Sequence, residues 1–87
     1  MILAFSLDGW DDYLFWQRTD ARTLKKINGL IRECLRTPRE GTGHPELLGN
    51  ELTGLWSRRI DHKNRLVYAI TDTRIEVMQC RYHYDDR

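Results

Sequence analysis

Glu46, Arg65 and His83 have the chemistry needed to move protons around a phosphodiester. Metal-free cleavage of an RNA strand needs a base to take the 2′-OH proton, a cation beside the phosphate and an acid to protonate the departing 5′-oxygen. A carboxylate, an arginine and a histidine can fill those places. Glu46 follows Pro45 in a stretch rich in glycine and proline, so its backbone approach is partly fixed and its side chain can project toward a ligand. Arg65 opens an apolar run, where its planar guanidinium offers a fork to phosphate oxygens. His83 lies two residues beyond Arg81 near the chain end, and imidazole is the side chain that ordinarily exchanges its proton near neutrality. Taken singly, a loop glutamate, a strand arginine and a terminal histidine are ordinary in any small domain, and their spacing alone does not choose between the two roles.

Metal chemistry is not indicated. His44, His62 and His83 are far apart, no carboxylate joins them at ligand spacing, and no cofactor motif is present, so neither a metal nor a cofactor is expected. Cys34 and Cys80 form no C-x-x-C pair and stand at apolar-periodic positions, which predicts core packing rather than a disulfide or metal site.

The elements that must position these groups follow from pattern. Met1 to Phe5 reads as a short strand. Ser6 then caps a helix with Trp10, Tyr13, Leu14 and Trp16 at helical spacing, and Asp8, Asp11 and Asp12 suit its dipole. Asp20 caps a second helix in which Leu24, Ile27, Ile31, Cys34 and Leu35 form one stripe, and Thr37-Pro38 stops it. Arg39 to Gly49 reads as a connecting loop. Thr53 to Ile60, Arg65 to Thr71 and Arg74 to His83 read as strands, joined by hairpin turns at Asp61-His62-Lys63-Asn64 and Asp72-Thr73. In the last strand strict alternation puts Ile75, Val77, Gln79, Arg81 and His83 on one face, with Glu76, Met78, Cys80, Tyr82 and Tyr84 on the other. The order β-α-α-β-β-β predicts an α+β architecture, both helices packed on one face of a mainly antiparallel sheet and the other face left available.

The chain has 87 residues, 40% hydrophobic and 31% charged, enough for one domain that buries only about 60–65% of the surface of its unfolded chain. Its apolar N-terminal run ends within five residues, too short for a signal-peptide core or a membrane span, so a cytoplasmic protein is expected. Net charge is +1, but its distribution is uneven. Arg22, Lys25, Lys26, Arg32, Arg36 and Arg39 are opposed by Glu33 alone, and Arg58, Arg59, Lys63 and Arg65 by Asp61. Both clusters could meet an RNA backbone, although for the helix a solvated polar face is the favoured explanation.

The sequence resembles the YoeB toxins of the RelE/ParE superfamily. The resemblance rests on Trp10-Asp11-Asp12-Tyr13, Trp16, Lys25-Lys26-Ile27-Asn28, Arg36-Thr37-Pro38, Gly41-x-Gly43, Leu52-x-Gly54-x-Trp56-Ser57-Arg58-Arg59-Ile60, Arg65-Leu66-Val67-Tyr68-Ala69 and Cys80-Arg81-Tyr82-His83-Tyr84. It covers residues 1–84 as a single domain and leaves 85–87 as a short tail. It implies a microbial-RNase-like fold and a toxin of a type II toxin-antitoxin system that enters the ribosomal A site, cuts mRNA there and stops translation. Residue by residue it assigns Glu46 as general base, Arg65 as the arginine on the phosphate and His83 as general acid. Arg59 is implied as a phosphate contact and Tyr84 as a base-stacking aromatic. A YefM-like antitoxin, the ribosome with bound mRNA and a homodimer are the implied partners. The alternatives are a toxin on the same fold that grips a protein partner, as gyrase poisons do, and a plain RNA-binding module. The sequence departs from the family pattern at Gly49, where relatives often carry lysine, and at Lys63. It also continues into Asp85-Asp86-Arg87, whose carboxylates are expected to favour the protonated form of His83 where they approach it.

Overall fold

A computed structural model describes residues 1–83. The order of elements is β1 (Ile2–Phe5), α1 (Leu7–Thr19), α2 (Ala21–Arg36), β2 (Glu46–Leu47), a 3₁₀ turn (Asn50–Leu52), β3 (Trp56–Arg59), β4 (Arg65–Ile70) and β5 (Arg74–Gln79). The strands form one sheet in the order β1-β5-β4-β3-β2. Its β2-β3, β3-β4 and β4-β5 pairs are antiparallel, while β1 runs parallel to β5. This is the expected α+β fold, with a mixed sheet.

Both helices begin where their caps predict. The Ser6 hydroxyl accepts from the Gly9 amide, and the Asp20 carboxylate accepts from the amides of Arg22 and Thr23. Those bonds, the side-chain bond from Thr23 first among them, hold the Asp20 carboxyl below the usual carboxylate range. Along α2, Ile27, Leu30, Ile31 and Cys34 are buried and meet Leu66, Tyr68, Ile75 and Val77 of the sheet in one core. Cys34 and Cys80 are both free thiols within that core, as their periodicity predicts.

Two side chains of α1 decide where β5 ends. Asp12 is buried and accepts from the Cys80 amide at 3.0 Å, while the Trp16 indole donates to the Cys80 carbonyl at 2.7 Å. Both backbone groups of Cys80 are thereby taken by the helix, so the strand stops at Gln79 instead of running on to His83. Asp12 is thus a buried acceptor, not merely a carboxylate suited to the helix dipole. The helix can approach so closely because residue 9 is glycine: a Cβ there would stand 2.2 Å from the Val77 carbonyl oxygen.

The expected face alternation of β5 also fails, for a local reason. Tyr68 pairs with Val77 but Val67 pairs with Gln79, so Met78 is an extra residue at a β-bulge. The bulge puts Gln79 opposite Val67 on the outer face and lets Cys80 enter the core. Arg81 leaves the ladder and its guanidinium lies 3.5 Å from the Phe15 ring centre. Two further boundaries differ from expectation. Glu46–Leu47 forms a short edge strand within the region expected to be loop, and β3 begins at Trp56 because residues 50–52 form a 3₁₀ turn.

Candidate functional site

The sheet face turned away from the helices carries the candidate site, and strand register fixes who shares it. Glu46 pairs with Ser57, Ser57 with Val67 and Val67 with Gln79, a row running straight across the sheet. One pleat along, Arg59 pairs with Arg65. Cross-strand partners share a face and successive residues alternate, so Glu46, Arg59 and Arg65 all lie on the open face. Glu46 stands two strands from Val67, about 10 Å in the backbone, and Arg65 lies two residues along β4 from that row.

His83 reaches the same corner by a different route. The Arg65 amide donates to the Tyr82 carbonyl at 3.0 Å, and the Tyr82 amide donates to the Asn64 side chain at 2.6 Å. The chain after β5 therefore runs beside the start of β4, and His83 follows directly from that contact. Strict alternation along a strand running to His83 does not hold; the bulge and the left-handed Tyr82 (φ 66°) turn the chain beside β4 just before His83.

Arg65 is half-buried, with one guanidinium nitrogen tied to the turn behind it through the carbonyls of Asp61 (2.7 Å) and Asn64 (3.1 Å). That tether orients the planar group. Arg59 is exposed; its amide donates to the Gly43 carbonyl at 2.7 Å, which extends the pairing of β3 toward β2. Tyr84, Asp85 and Asp86, and with them the expected base stacking and the expected effect on His83, lie outside the described residues. A Cβ at Gly49 would meet nothing within 4 Å, so the glycine there answers no steric need.

Arg58, expected within an RNA-facing basic cluster, is instead wholly buried. Its guanidinium donates to the carbonyls of Thr37, Glu40 and Thr42 and to the Tyr68 hydroxyl, and stands 3.7 Å from the Glu33 carboxylate. Tyr68 in turn donates to the Pro38 carbonyl, and the Thr42 amide donates to Glu33. That amide bond, with Arg58 and Arg36 adding to it, holds the Glu33 carboxyl below the usual range. Gly41 closes the clasp at φ 119°, where a Cβ would fall 2.0 Å from the Glu33 carboxylate. The clasp fastens the segment from Thr37 to Gly43 to β3 and so fixes the approach of Glu46. Sequence did carry one signal for it: Arg58 alternates with Trp56 and Ile60, the phase that faces the core.

Among the described residues no three His, Cys, Asp or Glu side chains cluster as metal ligands would. No helix there is long and apolar enough to cross a membrane.

Fold and site together define a small α+β domain whose sheet presents a charged, partly tethered corner opposite its helical layer. The profile of YoeB-like toxins of bacterial type II toxin-antitoxin systems matches residues 5–84. The chain is 56% identical to the toxin YoeB of Escherichia coli K12 over 84 residues, covering 97% of this chain and all of that one. Among solved structures, a YoeB/ParE toxin from Agrobacterium tumefaciens superposes with a TM-score of 0.93 at 53% identity, covering 97% of this chain and 100% of the other. YoeB from Staphylococcus aureus, 42% identical, superposes at 0.88 in its heterotetrameric complex with YefM and at 0.89 as a YoeB dimer, each over 97% of this chain and 98% of that one. This chain belongs to the YoeB family of toxins from type II toxin-antitoxin systems.

Proposed function

We propose that this toxin is a ribosome-dependent endoribonuclease that cuts mRNA in the A site by metal-free general acid-base catalysis. Glu46 takes the proton from the ribose 2′-OH, and the freed oxygen attacks phosphorus. Arg65, assisted by Arg59, neutralises the charge that grows on the phosphoryl oxygens. His83 protonates the 5′-oxygen as its bond to phosphorus breaks. The products are a 2′,3′-cyclic phosphate, which water can open to a 3′-phosphate, and a 5′-hydroxyl end. Tyr84 stacks on a base of the codon.

One observation supports this reading: Glu46 on β2 and Arg65 on β4 lie on the same open face of the sheet, and the chain after β5 is bonded through Tyr82 to the Arg65 backbone, with His83 the next residue. A structural role gives no reason for a carboxylate, an arginine and a histidine to come to the same side of the sheet from three stretches of chain. The partners proposed are the ribosome carrying mRNA in the cytoplasm, a YefM-like antitoxin and a second copy of the toxin. The last two are in keeping with the Staphylococcus aureus relative, solved both with YefM and as a dimer.

Primer extension on mRNA in a purified translation system tests the reaction, with wild-type protein beside His83→Gln. Cuts within the A-site codon, made by the wild type and lost in the variant, are expected. Translational arrest without cuts would move the protein to the class of toxins that act by gripping a partner.

A further inference from the structure

The hairpin turn between β3 and β4 holds two of the proposed catalytic groups at once. Asp61 accepts from the amides of Lys63 and Asn64, both at 2.8 Å. The Asn64 side-chain amide donates to the two Asp61 carboxylate oxygens at 3.2 and 3.1 Å, so its own carbonyl must point the other way, where it accepts from the Tyr82 amide at 2.6 Å. Only one orientation of the amide satisfies a carboxylate on one side and an N–H on the other. Burial would raise the Asp61 carboxyl, but these bonds, the one from the Asn64 side chain foremost, outweigh it and keep the group below the usual range.

The backbone of the same turn grips Arg65, whose guanidinium donates to the carbonyls of Asp61 and Asn64. The Arg65 amide and the Tyr82 carbonyl then close the loop at 3.0 Å. Tyr82 is at φ 66°, a conformation unfavourable for a tyrosine unless its surroundings hold it, and the paired bonds to Asn64 and Arg65 do so. Loss of the Asn64 bond removes one of the two backbone ties that hold Tyr82 in the left-handed region, directly before His83.

We propose that Asn64 is a positioning residue: clamped by Asp61, it fixes the backbone of Tyr82 and so sets the His83 imidazole against the Arg65 guanidinium at the scissile phosphate. The role rests on the proposed cleavage reaction. Asn64 touches no reacting atom, so its loss acts on the geometry of the acid rather than on substrate capture, and a displacement of the order of 1 Å is enough to cost about a hundredfold in rate.

Three proteins test it in single-turnover cleavage of mRNA on programmed ribosomes: wild type, Asn64→Ala, and the exchanged pair Asp61→Asn with Asn64→Asp. In the exchanged pair the amide at 61 donates to the carboxylate at 64, which still accepts from Tyr82, so the clamp is rebuilt with its partners reversed. Asn64→Ala is expected to lower the saturated cleavage rate by about tenfold to a hundredfold while the half-saturating toxin concentration shifts by no more than about twofold. The exchanged pair is expected to recover to within about threefold of wild type. Amide hydrogen exchange read by NMR on the full chain gives a measurement independent of ribosomes: the Tyr82 amide should exchange about a hundredfold faster in Asn64→Ala and regain protection in the exchanged pair. A wild-type rate in Asn64→Ala, alongside an inactive His83→Gln, would overturn the clamp and leave the proposed reaction standing. Unchanged Tyr82 exchange would overturn it as well. Absence of cleavage by the wild type itself would remove the reaction, and with it any role for Asn64 in catalysis.

Discussion

Arg58 and Arg59 are neighbours on β3 and face opposite sides of the sheet. Arg58 is sealed from solvent, with its donors spent on three backbone carbonyls and a tyrosine hydroxyl. Arg59 is exposed on the open face opposite Arg65. One pleat therefore separates a structural clasp from a candidate reaction surface. A buried guanidinium must be fully satisfied, since an unmatched charge there costs several kcal/mol. On the open face, charge with capacity to spare is what a phosphate can use. Identical side chains thus take unlike roles according to strand phase, and each role makes a different prediction.

The clasp should give the largest effect. Arg58→Met removes the donor shared by Thr37, Glu40, Thr42 and Tyr68 and leaves the Glu33 carboxylate without its cation. A loss of about 3–5 kcal/mol is expected, because three loop carbonyls and the Tyr68 hydroxyl lose the buried donor they share. Urea unfolding followed by tryptophan fluorescence measures it. A loss below about 1 kcal/mol would mean that the neighbouring carbonyls find other donors, and the contrast with Arg59 would collapse.

On the open face the comparable substitution should act on the reaction instead. Glu46→Gln keeps shape and removes basicity, so A-site cleavage is expected to fall by about 10²- to 10⁴-fold while ribosome binding is largely retained. Glu46 is exposed on an edge strand of two residues, and nothing in its setting makes the fold depend on its charge. Equal loss of binding and cleavage would argue against a base.

Tyr68 sharpens the comparison through pH. Burial pushes its hydroxyl up to about 12, more than the hydrogen bond from Arg58 lowers it, while the Cys34 thiol, itself raised by burial, adds to the upward shift. A group with a raised folded-state value holds its proton more tightly when folded. Its contribution to stability is therefore complete below the ordinary tyrosine value of 10.0 and is lost as pH rises from there toward about 12. The urea midpoint of the wild type should fall more steeply across that window than that of Tyr68→Phe. At pH 7 the variant should be less stable by about 1–2 kcal/mol, since the Arg58 Nε donor and the Pro38 carbonyl lose their partner. Parallel alkaline curves for the two proteins would show that Tyr68 does not couple the clasp to pH.

The same contrast explains what could be read in advance. Helix α2 was legible because Ile27, Ile31 and Cys34 recur on one stripe and Asp20 and Thr37-Pro38 mark its ends. The two hairpins were legible from their turn residues. The end of β5 was not, because alternation runs on through Gln79 without a glycine or proline to announce the bulge, and the groups that stop the strand, Asp12 and Trp16, lie far away in sequence on α1. Strand β2 is too short to show a period. Arg58 was assigned to the surface by residue type, although its phase with Trp56 and Ile60 placed it inside; for a charged residue, phase outweighed type because loop carbonyls were there to receive it. Residue chemistry makes Glu46, Arg65 and His83 candidates, and the family resemblance assigns each its role. They lie on three stretches of chain whose arrangement in the sheet no local pattern encodes. Asn64 was read only as a turn residue, because the bond that matters crosses to Tyr82.

The smallest expected effect isolates the comparison most cleanly. Arg59→Met leaves the backbone bond from residue 59 to the Gly43 carbonyl in place and removes only an exposed guanidinium. Its effect on stability should stay within about 0.5 kcal/mol, the usual range for a surface change. It also relieves the cross-strand pairing of two like charges with Arg65, so the sign can be slightly favourable. Ribosome binding should weaken modestly and become less sensitive to salt, as expected when one phosphate contact is lost. A stability loss approaching that of Arg58→Met would show that the open face also holds the fold together. An unchanged salt dependence would take Arg59 out of the phosphate-binding surface and leave Arg65 as its cation.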